Sequence, residues 1–139
     1  MNALRMRRDV YPGTLKIYGE EHEQTLLAAG NLASTLNTLE RFKDAKSLLL
    51  KTMPVARRIL GEGNETTLIM GFTYSRVLYK DDGATLDDLR ESVKTLEETT
   101  QTARRVLGGA HPFVVNMEHG LRESRAGLGA REACRTTQP

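Results

Sequence analysis

One phrase occurs twice in this chain. Ala56-Arg57-Arg58-Ile59-Leu60-Gly61 returns as Ala103-Arg104-Arg105-Val106-Leu107-Gly108, and the third residue after each glycine is Asn64 or His111. A weaker copy, Leu15-Lys16-Ile17-Tyr18-Gly19, precedes both and is followed by His22. The three glycines stand 42 and then 47 residues apart. A period of about 20–50 residues marks a stack of similar units, none of which can bury its apolar face alone.

Within each period the apolar spacing is helical. Leu26, Ala29, Leu32, Ala33 and Leu36 follow the three-four rhythm and predict a helix from Glu23 to about Thr38. Phe42, Ala45, Leu48, Leu49, Thr52, Ala56, Ile59 and Leu60 predict its partner, stopped by Gly61. The next unit opens at Asn64, a good N-cap, with Leu68, Gly71, Tyr74, Ser75 and Leu78 as its stripe. The second period is five residues longer than the first, and that extra length is expected in the turn from Lys80 to Thr85, which is longer than the one at Leu39-Glu40-Arg41; Thr85 with Asp88 has capping-box spacing. Leu89, Val93, Leu96, Thr99, Ala103 and Val106 carry the following helix to Leu107. His111-Pro112 opens a last helix with Val114, Met117, Leu121, Ser124 and Leu128 on one stripe. Met1 to Tyr18 reads as the second helix of a unit whose first helix is missing, and Pro12 and Pro54, aligned by the period, each predict a kink or break.

Composition agrees with helix-on-helix packing. Aromatic residues make up 5% of the chain, Trp is absent, and the apolar set is mostly Leu, Ala, Val and Met. The net charge of +2 points to no polyanionic partner. Its distribution is uneven: residues 1–18 carry +3, while 62–100 carry nine acids against Arg76, Lys80, Arg90 and Lys94. That acidic centre interrupts the continuous basic stripe that nucleic acid needs, and few aromatics are present to stack on bases. Cys134 stands alone and the first residues lack an apolar leader, so a reducing, cytoplasmic location is expected. No apolar run approaches the ~20 residues of a membrane span, and no membrane association is expected.

Candidates for chemistry dissolve into the repeat. His22 and His111 are equivalent positions two repeats apart, and Leu26 stands where a zincin-like motif would need its second histidine. The glycines near Gly61 and Gly108 have no Gly-Lys-Ser/Thr after them and fall where helices stop. The paired arginines, Arg57-Arg58 and Arg104-Arg105, sit at helix C-termini, where the helix dipole favours them. His119 reads as a groove or surface histidine. No nucleophile and base can be placed together, so neither an enzyme nor a cofactor or metal is expected. Arg76 and Lys80, four apart, share one helical face suited to a carboxylate.

The segments Tyr18-Gly19-Glu20-Glu21-His22-Glu23-Gln24-Thr25-Leu26, Gly30-Asn31-Leu32-Ala33 and Arg41-Phe42-Lys43-Asp44-Ala45 resemble the tetratricopeptide repeats of kinesin light chains and similar proteins, whose repeat is about 42 residues long. The resemblance implies an all-α, right-handed superhelical array of antiparallel helix pairs. Its first helices would line a concave groove that holds a peptide or a partner's helix. The matching groove positions are Leu27, Gly30, Asn31, Ser34, Asn37 and Thr38, then Ile69, Phe72, Thr73, Arg76, Tyr79 and Lys80. Asn31 is where similar proteins hold the ligand backbone with an amide; Thr73 and Gly120 replace it in later copies.

The expected organisation is one domain over 1–135, divided into a half repeat (1–18), a repeat (19–60), a repeat with the longer inter-helix turn (61–107) and a terminal capping helix (108–134). A frayed tail over 136–139 would follow. Arg122 and Arg125 stand where earlier repeats have small and apolar residues, which marks the last helix as solvent-facing. The expected function is a non-catalytic interaction module or scaffold with a protein or peptide partner, an acidic one among the candidates; the alternative for Arg76 and Lys80 is a solvated face that balances Asp81 and Asp82. The chain begins and ends inside a repeat, as a fragment of a longer array would, so self-association through exposed end helices is the second reading and RNA binding the third.

Overall fold

The computed structural model describes residues 3–137, with side chains described over 9–135. Six helices follow in order: α1 (Ala3–Tyr18), α2 (Glu23–Thr38), α3 (Phe42–Ile59), α4 (Glu65–Lys80), α5 (Leu86–Leu107) and α6 (Pro112–Thr137). Each packs against the next, α2 also meets α4, and α4 also meets α6. Among the described residues the backbones of α1, α3 and α5 do not come together. The helices therefore form two layers, one close-packed (α2, α4, α6) and one splayed (α1, α3, α5). A stack with this asymmetry curves, with the close-packed layer on its concave side. Glycine permits the close approach of α4 and α6, since a Cβ at Gly120 would lie only 3.1 Å from the Phe72 ring, whereas one at Gly30 would make ordinary contact with Met70 at 3.8 Å. The fold is an all-α array of antiparallel helix pairs.

The repeated phrase is the joint between pairs. Gly19, Gly61 and Gly108 have φ of 87°, 91° and 89°, the left-handed region that ends a helix and strains any residue with a Cβ. Three residues on, a side chain caps the next helix. His22 Nδ1 accepts from the Gln24 N–H at 3.0 Å, Asn64 Oδ1 from Thr66 at 2.9 Å, and His111 Nδ1 from Phe113 at 3.1 Å. A second device holds the register: Thr25 Oγ1 donates to the Thr14 carbonyl at 3.1 Å, and its equivalent Thr67 donates to Ala56 at 3.4 Å. Val114 takes that place in the third copy and packs into the core.

Two expectations are corrected in part. Of the kink or break expected at each proline, the break does not occur, since α1 continues through Pro12 and α3 through Pro54. Both prolines are exposed, on the side of the helix where solvent can replace the missing N–H donor. The extra length of the second repeat does not lie wholly in its turn. That turn covers 81–85 against 39–41, and the rest lengthens α5 to 22 residues against 18 in α3. The capping box at its start is formed, with Thr85 and Asp88 bonding each other's backbone N–H at 3.0 and 3.1 Å.

α6 runs on past the point where α2 and α4 turn and lies along the lengthened α5, where Arg90 meets Glu132 at 3.8 Å. Of the tail expected at 136–139, Thr136 and Thr137 belong to α6 and 138–139 lie outside the described residues.

The core has two parts. Leu26, Ala29, Leu32, Leu49, Met53, Met70 and Val77 join α2, α3 and α4, with Tyr11 closing the α1 side. Leu68, Leu96, Ala103, Val114, Met117 and Leu121 join α4, α5 and α6. Burying each large side chain contributes roughly 1.5–3 kcal/mol. Buried hydroxyls also cross the second part: Ser92 Oγ lies 2.8 Å from the Ser75 carbonyl oxygen and 2.9 Å from Ser124 Oγ. On the open side of α6, Arg122 and Arg125 are exposed, and ion pairs Arg125–Glu97 (3.0 Å) and Arg104–Glu118 (3.1 Å) reach across from α5.

Candidate functional site

Helical spacing puts Phe72, Arg76, Tyr79 and Lys80 on one side of α4, and Asn116, His119, Gly120 and Glu123 on one side of α6. The two sets face each other across the concave layer and line a cavity of about 330 Å³. Gly120 gives it depth, because any side chain there would press on the Phe72 ring. Phe72 meets Phe113 edge-on at 5.9 Å and carries the Arg76 guanidinium 5.3 Å above its ring, a cation–π contact that holds the charge in the cavity.

Glu123 is engaged from both sides. Tyr79 Oη donates to its Oε2 at 3.0 Å, and His119 Nε2 lies 3.0 Å from its Oε1. Burial, then the hydrogen bond to Glu123 and its negative charge, push the Tyr79 hydroxyl up to about 12, with Arg76 pulling the other way. Burial and the neighbouring Arg76 charge pull Lys80 below the usual lysine range, opposed by the Glu123 and Glu40 carboxylates. Among the described residues neither Arg76 nor Lys80 has a carboxylate within ion-pair distance. The cavity thus holds two cations beside the Glu123 carboxylate, which accepts a hydrogen bond from Tyr79 and lies against His119 in the same cavity.

Of the groove positions read from the sequence, Phe72, Arg76, Tyr79 and Lys80 come together here. Asn31, Ser34 and Thr38 lie on α2; Asn31 and Thr38 are exposed, Ser34 is half-buried, and Thr38 donates to the Ser34 carbonyl at 3.0 Å. Leu27 is exposed, Ile69 half-buried, and Gly30 buried beneath Met70. Asn37 and Thr73 are buried, and Asn37 Oδ1 has no hydrogen-bond partner. Asn31 and Thr73 are repeat equivalents with opposite exposure. The difference follows from position, since α4 has a close-layer neighbour on both sides and α2 on one.

Asn116 and Glu123 were not singled out in the sequence. Their only signal is helical spacing from His119 and Gly120. Among the described residues no three His, Cys, Asp or Glu side chains gather as a metal site, and no helix is long and apolar enough to cross a membrane.

Residues 25–65, spanning α2, α3 and the joint after them, match the family model described as tetratricopeptide repeat. No curated protein matches the chain at a significant level. The match and the six-helix architecture together make this a helical repeat array containing a tetratricopeptide-type repeat. Repeats of this type generally mediate protein–protein interaction and are generally non-catalytic; their stacked units present extended concave surfaces to partners.

Proposed function

We propose that the protein is a cytoplasmic, non-catalytic interaction module of the kinesin light chain-like kind, and that the cleft between α4 and α6 captures an acidic peptide segment. The observation that supports this reading is the pair Arg76 and Lys80, held in a concave cavity where, among the described residues, neither forms an ion pair. A ligand carboxylate would meet the planar guanidinium of Arg76, fixed by Phe72, and the Lys80 ammonium one helical turn away. The exposed Asn31 amide and the Thr38 hydroxyl continue the surface along α2.

Fluorescence anisotropy with a labelled Glu/Ser-rich peptide and its Lys/Ser-rich counterpart tests the reading. The acidic peptide binds, the basic one does not, and Arg76→Glu abolishes binding without altering the helical circular dichroism. Unchanged binding in Arg76→Glu removes this cleft from the function. Self-association is a second reading, favoured by the exposed apolar residues Val10 and Ile17 on α1.

A further inference from the structure

Among the described residues α1 packs against α2 alone, and none of the other described helices covers its opposite face. At about 100° per residue, Gly13 sits at the centre of that face, with Val10 and Ile17 along one edge and Asp9 and Lys16 along the other. Val10 is 50% and Ile17 74% exposed. A Cβ at Gly13 would meet nothing within 4 Å, so nothing in the described fold requires a glycine that costs about 1 kcal/mol mid-helix. Asp9 and Lys16 are exposed, and neither forms an ion pair among the described residues. The repeat sharpens the contrast. Thr52, the equivalent of Val10, is 5% exposed, so the apolar residue stands at the open copy of the position and the polar one at the buried copy.

We propose that α1 pairs antiparallel with α1 of a second copy, about a two-fold axis at Gly13. Such an axis reverses the helix direction but keeps each edge facing its own counterpart. Val10 then meets Ile17 of the second copy on the apolar edge, and Asp9 meets Lys16 on the charged edge, each contact made twice. Gly13 lets the two backbones approach closely. Head-to-tail stacking is disfavoured, because an α1 edge laid on α6 would bury Arg122 or Arg125. One helix pair buries less than the ~800 Å² per partner of a standard interface, which makes this a weak dimer with a Kd on the order of 10–100 µM. The pairing rests on the self-association reading and specifies its surface and symmetry.

Sedimentation velocity of the full chain from about 1 µM to about 500 µM tests it. Wild type passes from monomer to dimer and stops there. Ile17→Glu stays monomeric, Asp9→Lys weakens dimerisation at least several-fold, and Asp9→Lys combined with Lys16→Asp restores it. All changes are at exposed positions, and circular dichroism checks that the helices persist. A dimer that survives Ile17→Glu, or a swapped pair that fails to recover, overturns this pairing and leaves self-association to another surface. Growth beyond the dimer overturns the two-fold, and a wild-type monomer at every concentration overturns both the pairing and the self-association reading.

Discussion

Tyr79 on α4 and Glu123 on α6 are joined by a 3.0 Å hydrogen bond between two walls of the concave cavity. The bond ties two helices of the close-packed layer and engages a carboxylate that lines the cavity with Arg76 and Lys80. Because the folded state holds the Tyr79 proton up to about 12 against an ordinary value of 10.0, folding favours the protonated form. The unfolded state therefore loses this proton first, and the stability contribution is complete below pH 10 and falls away as pH rises toward 12. Urea denaturation across that range should show declining stability, and Tyr79→Phe should flatten part of the decline. An identical slope in the variant would assign the decline to other groups, such as Tyr11 and Tyr74, whose burial also raises them.

The buried serines form a testable unit. Ser92→Ala removes the contact to the Ser75 carbonyl and leaves Ser124 Oγ buried without its partner, an expected loss of about 1–3 kcal/mol. Removing both hydroxyls in Ser92→Ala/Ser124→Ala should cost less than the two single changes added together, because no orphaned hydroxyl remains. Denaturant midpoints of the four proteins measure this coupling, and strict additivity would deny it.

Gly71 stands at a close approach of α4 to α5. A Cβ there would lie 2.5 Å from Thr99 Oγ1 and 3.2 Å from its Cγ2. Thr99 is β-branched and bonded to the Thr95 carbonyl at 2.8 Å, so it cannot swing clear cheaply. Gly71→Ala should destabilise by about 1–2 kcal/mol despite alanine's better helix propensity. Thr99→Ala in the same chain should recover most of that loss. Thermal melts of the single and double variants report both effects, and a more stable Gly71→Ala would contradict the packing.

The joints make a comparative prediction. Asn64→Ala removes a side-chain cap and should cost about 1 kcal/mol, whereas His111→Asn exchanges one cap for another and should change stability by less than about 0.5 kcal/mol. Chemical denaturation distinguishes the two. Equal losses would mean that His111 contributes through something other than its cap.

Much of this fold was legible because repetition makes a weak local signal readable. Glycine at a helix end, a capping side chain three residues on and a three-four apolar stripe each carry little information alone. Three aligned copies located all five joints and turns between the helices. The break expected at each proline did not follow, because a proline's effect depends on which side of the helix faces water, and sequence spacing alone did not place Pro12 and Pro54 on the solvent side. The insertion in the second repeat was visible as length. Its division between turn and helix depended on α6 lying alongside α5.

The candidate site divides in the same way. The α4 face was readable from spacing, since Phe72, Arg76, Tyr79 and Lys80 share one side of any helix that contains them. Its other wall was not, because Asn116 and Glu123 acquire meaning only when α6 packs opposite. The sequence by itself determined the period, the helices, the helix stops and caps, and the position of two cations on one helical face, all of which follow from local backbone and side-chain chemistry. Only the tertiary structure decided that Glu123 is taken up by Tyr79 and His119, that Thr73 is buried while its equivalent Asn31 is exposed, and that one face of α1 lies open. Those outcomes depend on which helices are neighbours in space, which is set by packing between units and not by the repeat pattern of any one of them.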